Sequence, residues 1–184
     1  PATDDSLTVT VTPAPIVTAG VNQVVCSNSA IQLSATVSGS STTGVWSGNG
    51  TGTFSPNNTT LNGTYTPSIA DITAGQVKLV LTSTNNGNCL PVTDTVQIDF
   101  FDLPIPNAGP DQITCSTFPS VTLSGSVAGG TSTGVWSTTG TGNFTPNVNT
   151  LSASYNISAA DIISGSVYVI LTSSNNGPCP SVPD

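Results

Sequence analysis

The sequence lacks most of the residues on which catalysis and ion pairing depend. Its 184 residues include no Glu, Arg, His or Met, and Lys78 is the only basic residue against nine Asp, which gives a formal net charge of -8. Without His, neither a Ser-His-Asp nor a Cys-His nucleophile can form, and no His can ligate zinc or iron. Without clustered Lys or Arg, phosphates cannot be neutralised. We therefore predict that the chain is not an enzyme and has no nucleic-acid partner.

Long apolar runs and strong helix formers are also scarce. The longest apolar runs are a few residues, so we predict no membrane insertion and expect no signal peptide. Ser and Thr together number 55 and Asn 16, with 18 Gly and 14 Pro. Thr, Val and Ile suit a pleated, half-buried surface, and Gly, Asn and Pro suit turns. The composition predicts an all-β protein with many turns and an extracellular location.

Internal similarity sets the predicted architecture. GVWSGNGTGTF at 44–54 recurs as GVWSTTGTGNF at 134–144, and LVLTSTNNGNC at 79–89 recurs as VILTSSNNGPC at 169–179. The offset is 90 residues here and 89 before Leu33, so the chain contains two copies of a domain of about 90 residues. Within each copy, apolar and polar residues alternate with period two, as in Val77, Leu79 and Leu81. This pattern predicts tandem antiparallel β-sandwiches in which Trp46 and Trp136 fill the cores.

A short polar segment is repeated before one of these strands. Residues 68–75 read SIADITAG and residues 158–165 read SAADIISG. Ser68 or Asp71 is predicted to cap a single helical turn that Gly75 closes. The alternative, that Asp71 and Asp161 are ligands, is the less favoured interpretation.

Each copy carries two cysteines, one early and one after the NNG triplet. Because two cysteines per repeat in an extracellular composition favour bonds within a domain, we predict Cys26–Cys89 and Cys115–Cys179 disulfides. No Cys lies within four residues of another, which argues against a zinc motif. Each bond would close a loop that contributes about 4 kcal/mol by the chain-entropy relation.

The repeat phase is shifted relative to the chain. Residues 5–9 align with residues 94–98, the predicted last strand of the first copy, whereas Asp184 aligns with Asp94. We therefore expect residues 1–14 to be the last strand of a preceding repeat plus a linker. Residues 15–103 are then the first repeat, and residues 104–184 are the second repeat without its final strand. The segment Leu7–Val11 is predicted to pair with a preceding domain of a longer or neighbouring chain.

The opening of the second copy, Ala108-Gly109-Pro110-Asp111-Gln112, resembles that of PKD-type domains, an Ig-like sandwich family. The first copy departs from it, with Val21-Asn22 in place of Pro110-Asp111. The whole pattern is similar to the tandem PKD/Ig-like repeats of giant Bacteroidetes cell-surface adhesins, including gliding adhesins of the SprB type. That resemblance implies a bacterial cell-surface protein exported by type IX secretion, with roles in adhesion and gliding motility, and it supplies no catalytic residue.

Three functions are compatible with these features. The favoured one is a structural spacer or stalk of a long extracellular adhesin or filament, whose partners are neighbouring repeats, head to tail. The second is a glycan- or surface-binding module, with surface polysaccharide as partner and Phe101 and Phe118 as the aromatics without a repeat-matched counterpart. The third is a fibre subunit that assembles by β-strand donation, because a leading strand is unmatched and a trailing one is missing.

Two further sites are predicted on weaker patterns. Acidic and amide residues cluster at the proline-bearing linker, and their oxygens suit calcium, the one cofactor considered; the alternative is a solvated acidic linker. This predicted calcium site consists of Asp99, Asp102, Asn107 and Asp111. Ser6 and Thr95 lie in triplets that resemble the Asp-Ser/Thr-apolar O-glycosylation pattern of Bacteroidetes, although the same triplets also suit the start of an edge strand.

Overall fold

The computed structural model describes residues 4–184. Within them the chain is almost entirely β, with two short helices, and it divides into two compact units. Unit 1 comprises residues 4–25 and 29–100, and unit 2 comprises residues 26–28 and 101–184. The first three residues of the predicted segment 1–14 lie outside the described residues.

Unit 1 is an antiparallel sandwich. Strands β2, β9, β8 and β5 form one sheet in that order, β3, β7 and β6 form a second, and β1 pairs with β4. The elements are β1 (Ile16–Thr18), β2 (Gln23–Cys26), β3 (Ile31–Gln32), β4 (Thr36–Ser38), β5 (Thr43–Gly48), β6 (Thr53–Ser55), β7 (Thr64–Thr66), α1 (Ile69–Thr73), β8 (Gln76–Thr84) and β9 (Thr93–Phe101).

Unit 2 repeats this plan with fewer strands. Strands β13 and β16 pair, β11, β15 and β14 form a three-stranded sheet, and β10 pairs with β12. The elements are β10 (Ile105–Asn107), β11 (Ser120–Thr122), β12 (Ser126–Ala128), β13 (Thr133–Thr138), β14 (Asn143–Thr145), β15 (Ser154–Asn156), α2 (Ala159–Ser164) and β16 (Val169–Ser174). In the described part of this unit, no strand corresponds to β2 or β9 of unit 1.

The predicted tryptophan cores and the antiparallel, alternating strands are confirmed. Trp46 and Trp136 are buried, each with its indole nitrogen donating to a backbone carbonyl in the same unit. Register follows the predicted alternation, since Trp46 lies opposite Leu81 and Trp136 opposite Leu171. Both tryptophans are therefore core residues.

The N-terminal segment differs from the rest of unit 1. Residues 4–15 form no strand, and the side chains of Leu7, Val9 and Val11 are exposed by 88%, 74% and 85%. The last strand of unit 1 is β9, which contains the predicted residues 94–98 and pairs with β8 from Gln76 to Thr82. The pairing of Leu7–Val11 with another domain stays a prediction.

Candidate functional site: the cysteines and the open groove

The cysteines do not pair as predicted. Cys26 is bonded to Cys179, 153 residues later, with 4.8 Å between the two Cα atoms. The predicted pairs Cys26–Cys89 and Cys115–Cys179 are therefore wrong, and Cys89 and Cys115 are free thiols. The physical reason lies in β2 and β9. Strand β2 pairs with β9, and both strands end at the boundary of unit 2. Cys26, the last residue of β2, therefore belongs to unit 2 together with Phe101 and the residues that follow it.

The bonded pair has a defined backbone setting, which we call the disulfide joint: Cys26, Ser27, Phe101, Asp102 and Cys179. The Ser27 amide donates to the Phe101 carbonyl at 2.9 Å. The Cys179 sulfur lies 3.5 Å from the Phe101 carbonyl oxygen and 3.6 Å from that of Asp102. Cys179 is buried, so the end of β9 and the NNG turn enclose the bond.

Cys89, the free cysteine of unit 1, has backbone contacts that correspond to those of Cys179. The Cys89 sulfur lies 3.9 Å from the Thr12 carbonyl oxygen and 3.6 Å from that of Pro13. At the 89-residue offset, Thr12 and Pro13 align with Phe101 and Asp102. Cys89 is therefore arranged like Cys179, with no bonded sulfur opposite it.

The other free cysteine, Cys115, aligns with Cys26 but lies outside any strand. It is exposed, as are all residues from Pro110 to Ser120. Hydrogen bonds from the Thr117 side chain and backbone hold the pKa of its thiol below the usual value. A lowered thiol pKa increases the thiolate fraction, which is the nucleophile in disulfide exchange.

A groove lies beside β16 in unit 2. In unit 1, β9 lies between β2 and β8, and its Val96 and Ile98 are buried. In unit 2 the corresponding space is a groove of about 810 Å³. Its lining includes the segment 108–116 and apolar side chains, among them Val121, Leu123, Trp136, Ile157, Val167 and Val169.

The C-terminal residues pair with β16, which borders this groove. Residues 182–184 pair with β16: the Ser173 amide donates to Val182, and Leu171 and Asp184 exchange two backbone hydrogen bonds. Asp184 Oδ2 accepts from the Ala108 amide at 2.7 Å, as Asp94 Oδ2 accepts from the Ala19 amide at 2.8 Å. Asp184 is therefore placed in unit 2 as Asp94 of β9 is placed in unit 1.

A buried Asp-Tyr network recurs in both units. Asp71 caps α1 in a capping box with Ser68, and its carboxylate also accepts from the Thr51 and Gly52 amides and from the Tyr65 hydroxyl. Asp161 makes the corresponding contacts in unit 2. The predicted capping role is confirmed, and the acceptor capacity of each carboxylate is occupied by the protein.

These contacts shift the pKa values of the residues in the network. Burial raises the pKa of Asp71, but hydrogen bonds from Ser68, Thr51 and Tyr65 outweigh it and hold the pKa below its usual value. In unit 2, the Thr141 amide contributes most to lowering the Asp161 pKa. Burial, together with the bond to Asp71, raises the pKa of Tyr65 to about 12.

The four residues of the predicted calcium site have separate roles in the structure. Asp99 accepts from the Gln97 side chain, and Asn107 accepts from the Gly109 amide. Asp111 is exposed, and Asp102 contributes its carbonyl to the disulfide joint. Among residues 4–184, no group of three His, Cys, Asp or Glu is placed to hold a metal ion. Calcium binding stays a prediction.

The predicted modification and glycan residues differ in exposure. Ser6 and Thr95 are both exposed, so glycosylation at either stays a prediction. Phe118 is 71% exposed. Phe101 is half-buried, and its ring lies so close to Gly130 and Gly177 that Cβ atoms there would be 2.4 Å and 3.1 Å from it. Phe101 therefore helps to enclose the disulfide joint.

Comparisons with known proteins show the fold. No protein family matches the chain, and no curated protein does. Among solved structures, immunoglobulin domains 1–5 of Sidekick-1 are 17% identical with a TM-score of 0.54, over 95% of this chain and 38% of that one. Cadherin domains 1–4 of protocadherin gamma B7 are 16% identical with a TM-score of 0.39, over 94% and 48%. The chain thus spans less than half of either structure, and the likeness to the Sidekick-1 domains shows an Ig-like fold. No helix among the described residues is long and apolar enough to cross a membrane.

Proposed function

We propose that this chain is a load-bearing section of a long extracellular stalk, built from Ig-like spacer repeats of a bacterial surface adhesin or filament. The observation that carries the proposal is the Cys26–Cys179 bond. It joins a residue of the first sequence repeat to one of the second, so it ties consecutive repeats rather than closing each one.

A bond of this span changes how the chain carries tension. When the chain is pulled at both ends, tension passes along the backbone to residue 26, through the sulfur–sulfur bond, and back into the backbone at residue 179. The 153-residue stretch that the bond spans, which includes most of both cores, is bypassed. Such a device suits a spacer whose task is reach and persistence.

The remaining features agree with a structural role. The repeated Asp, Tyr and Trp residues are used for caps and cores. The Ig-like fold and the disulfide support an extracellular location. The resemblance to Bacteroidetes repeats supports the bacterial surface, gliding adhesins and type IX secretion as the setting, with neighbouring repeats as the partners. No contact described above favours polysaccharide binding.

Single-molecule pulling of the oxidised chain from its two ends tests this proposal. The bonded 153-residue stretch is expected to stay hidden, and reduction should release a further contour length of roughly 500–550 Å. The Cys26→Ser variant should release that length without reductant, and Cys115→Ser should behave as the unmodified chain. Equal extension with and without reductant would contradict a load-bearing role.

A further inference from the structure

Four asparagines of the chain are each followed by glycine. In such a pair the glycine amide nitrogen can attack the Asn Cγ and close a cyclic imide, because glycine has no Cβ to obstruct that approach. This reactivity is one reason why asparagine is a thermolabile residue. The contacts of each pair in the folded protein decide whether the ring can form. The pairs are Asn49-Gly50, Asn62-Gly63, Asn86-Gly87 and Asn176-Gly177.

Two of these asparagines are held in place by backbone amides. Asn49 Oδ1 accepts from the Lys78 amide at 2.8 Å, and Asn62 Oδ1 accepts from the Ala35 amide at 2.8 Å. The Asn49 amide also donates to the Lys78 carbonyl, and Gly63 is buried. Ring closure at either pair would have to break these contacts. We therefore expect both pairs to be protected in the folded protein.

The asparagines of the two NNG turns are held less firmly. Nδ2 of Asn86 donates to the Ser83 carbonyl at 3.2 Å, and Nδ2 of Asn176 donates to the Ser173 carbonyl at 3.4 Å. Within residues 4–184, Oδ1 of each is buried without a hydrogen-bond partner. Because an unpaired buried acceptor costs free energy, rotating the side chain toward the next amide returns this oxygen to water at the loss of one long hydrogen bond.

The two NNG turns share a backbone conformation, but their glycines have different surroundings. Both glycines are left-handed, with φ of +61° at Gly87 and +58° at Gly177. A Cβ built on Gly177 would lie 3.1 Å from the Phe101 ring, whereas one on Gly87 would meet no atom within 4 Å. The same ring would be 2.4 Å from a Cβ on Gly130, so glycines flank it at two positions. Phe101 therefore packs directly on the second turn.

This difference follows from one substitution between the repeats. Thr12 is the residue of unit 1 that aligns with Phe101, and none of its atoms reaches the space beside Gly87. Ring closure requires the backbone of the pair to turn until the glycine nitrogen faces the Asn Cγ. In unit 2 the Phe101 ring obstructs that movement at Gly177, and in unit 1 no side chain obstructs it at Gly87.

We propose that Asn86 is a site of self-modification, at which the side chain cyclises onto Gly87 and is hydrolysed to aspartate or isoaspartate, and that Phe101 protects Asn176 from the same reaction. The Gly87 nitrogen bonds to Asn86 Cγ and loses its proton. The Cγ–Nδ2 bond breaks, and Nδ2 leaves as ammonia with that proton. Water then opens the imide at Cγ, which gives aspartate, or at the Asn86 backbone carbonyl, which gives isoaspartate. The reaction needs only water and is independent of the proposed stalk function.

The modification would change the turn between β8 and β9. Asn86 would lose the Nδ2 group that donates to the Ser83 carbonyl, and a carboxylate would face that carbonyl instead. Isoaspartate would also lengthen the backbone of the turn in which the Cys89 amide donates to the Asn86 carbonyl at 3.1 Å. Each conversion adds one negative charge, so modified chains can be separated by ion exchange.

Incubation of the unmodified chain in mildly alkaline, heavy-oxygen water measures the rate at each pair. Peptides are then made at acid pH, where ring closure is slow, and conversion is scored by mass from the heavy oxygen incorporated. We expect Asn86 to convert about tenfold faster than Asn176, the factor given by about 1.4 kcal/mol of additional barrier. Asn49 and Asn62 should also be slower than Asn86. Equal rates at Asn86 and Asn176, or faster conversion at Asn49 or Asn62, would overturn the proposal.

The same incubation in urea with reductant separates the effect of structure from that of sequence. All four pairs are Asn-Gly, so they should convert at similar rates once the chain is unfolded. If Asn176 stayed slower in urea to the same degree, its local sequence, which continues with Pro178, would be the cause. That outcome would refute protection by Phe101.

The variant Phe101→Thr gives unit 2 the residue that unit 1 has at position 12. Conversion of Asn176 should rise to the rate of Asn86, which itself should not change. Phe118→Thr is the matched control, because Phe118 is 71% exposed, and should leave both rates unchanged. Peptide maps and hydrogen exchange in residues 133–138 verify the Cys26–Cys179 bond and the fold of unit 2. Phe101→Leu, which removes the ring but keeps an apolar side chain, replaces the first variant if unit 2 unfolds. No rise at Asn176 in a folded variant would contradict the shielding.

Discussion

The hydroxyl of Tyr65 donates a hydrogen bond to Oδ2 of Asp71 at 2.7 Å inside unit 1. The Gly52 amide donates both to that hydroxyl, at 2.8 Å, and to the same carboxylate, at 3.0 Å. The carboxylate thus fastens the GTG turn, the strand β7 and the first turn of α1 together. Unit 2 repeats the contact between Tyr155 and Asp161 at 2.8 Å.

We expect Asp71→Asn to destabilise unit 1 and to alter its response to acid. The amide cannot accept all the hydrogen bonds of the carboxylate, so the free energy of unfolding should fall by about 2 kcal/mol at neutral pH. The folded-state pKa of Asp71 lies below the unfolded value. Its stabilisation is therefore complete above about pH 4 and is lost as the pH falls through the folded pKa.

Urea unfolding between pH 2 and 7, followed by hydrogen exchange in residues 29–100, measures this effect. The unmodified unit should lose stability below about pH 4, and Asp71→Asn should show a shallower decline. Asp111→Asn, at an exposed position, is the matched control and should leave the profile unchanged. Parallel profiles for all three proteins would be evidence against this role for Asp71.

The same network predicts a tyrosine that resists ionisation. Burial and the bond to Asp71 raise the pKa of Tyr65 to about 12. The phenolate absorbance that distinguishes the unmodified chain from Tyr65→Phe should therefore appear with a midpoint near 12 in a spectrophotometric titration. A midpoint near 10, the ordinary value, would show that the hydroxyl is not held as described.

Much of the sandwich was predictable because its determinants are local. Period-two alternation in residues 77–81 and the Ser68/Asp71 pair each depend on a few neighbouring residues, and the structure confirms both. The Asp-Tyr contact was not predicted. The GTG turn carried a sequence signal for this contact, because only glycine leaves room there for the Tyr65 hydroxyl. That signal can be interpreted only once β6 is known to pair with β7.

Steric crowding at this turn leads to a further prediction. A Cβ on Gly52 would lie 2.2 Å from the Thr66 carbonyl oxygen, whereas one on Gly87 would meet nothing within 4 Å. Gly52→Ala should therefore lower the free energy of unfolding by about 2–3 kcal/mol. Gly87→Ala, where φ is +61°, should cost only the left-handed backbone penalty of about 1 kcal/mol. Chemical denaturation of both variants measures the difference, and equal losses would be inconsistent with the crowding.

The disulfide pairing could not be predicted from repeat position. Cysteines at matching positions in the two repeats are compatible with bonds within each repeat and equally with bonds between repeats. The sequence spacing of the cysteines therefore does not distinguish the two patterns. The deciding fact is that β2 lies beside β9, which brings Cys26 to the start of the next repeat rather than to its own NNG turn. Such pairing between sequence-distant strands has no local signature.

The final prediction concerns the bond that ties residue 26 to residue 179. Non-reducing peptide mapping should find Cys26–Cys179 as the linkage, with Cys89 and Cys115 open to alkylation. A bond across 153 residues restricts the unfolded chain and contributes up to about 5 kcal/mol by the chain-entropy relation. The double variant Cys26→Ser with Cys179→Ser should lose a large part of that stability in residues 101–184, as measured by hydrogen exchange. Cys115→Ser removes an exposed free thiol and should leave exchange unchanged. Recovery of Cys26–Cys89 peptides instead would return the pairing to one bond within each repeat and remove the basis for covalent coupling along the stalk.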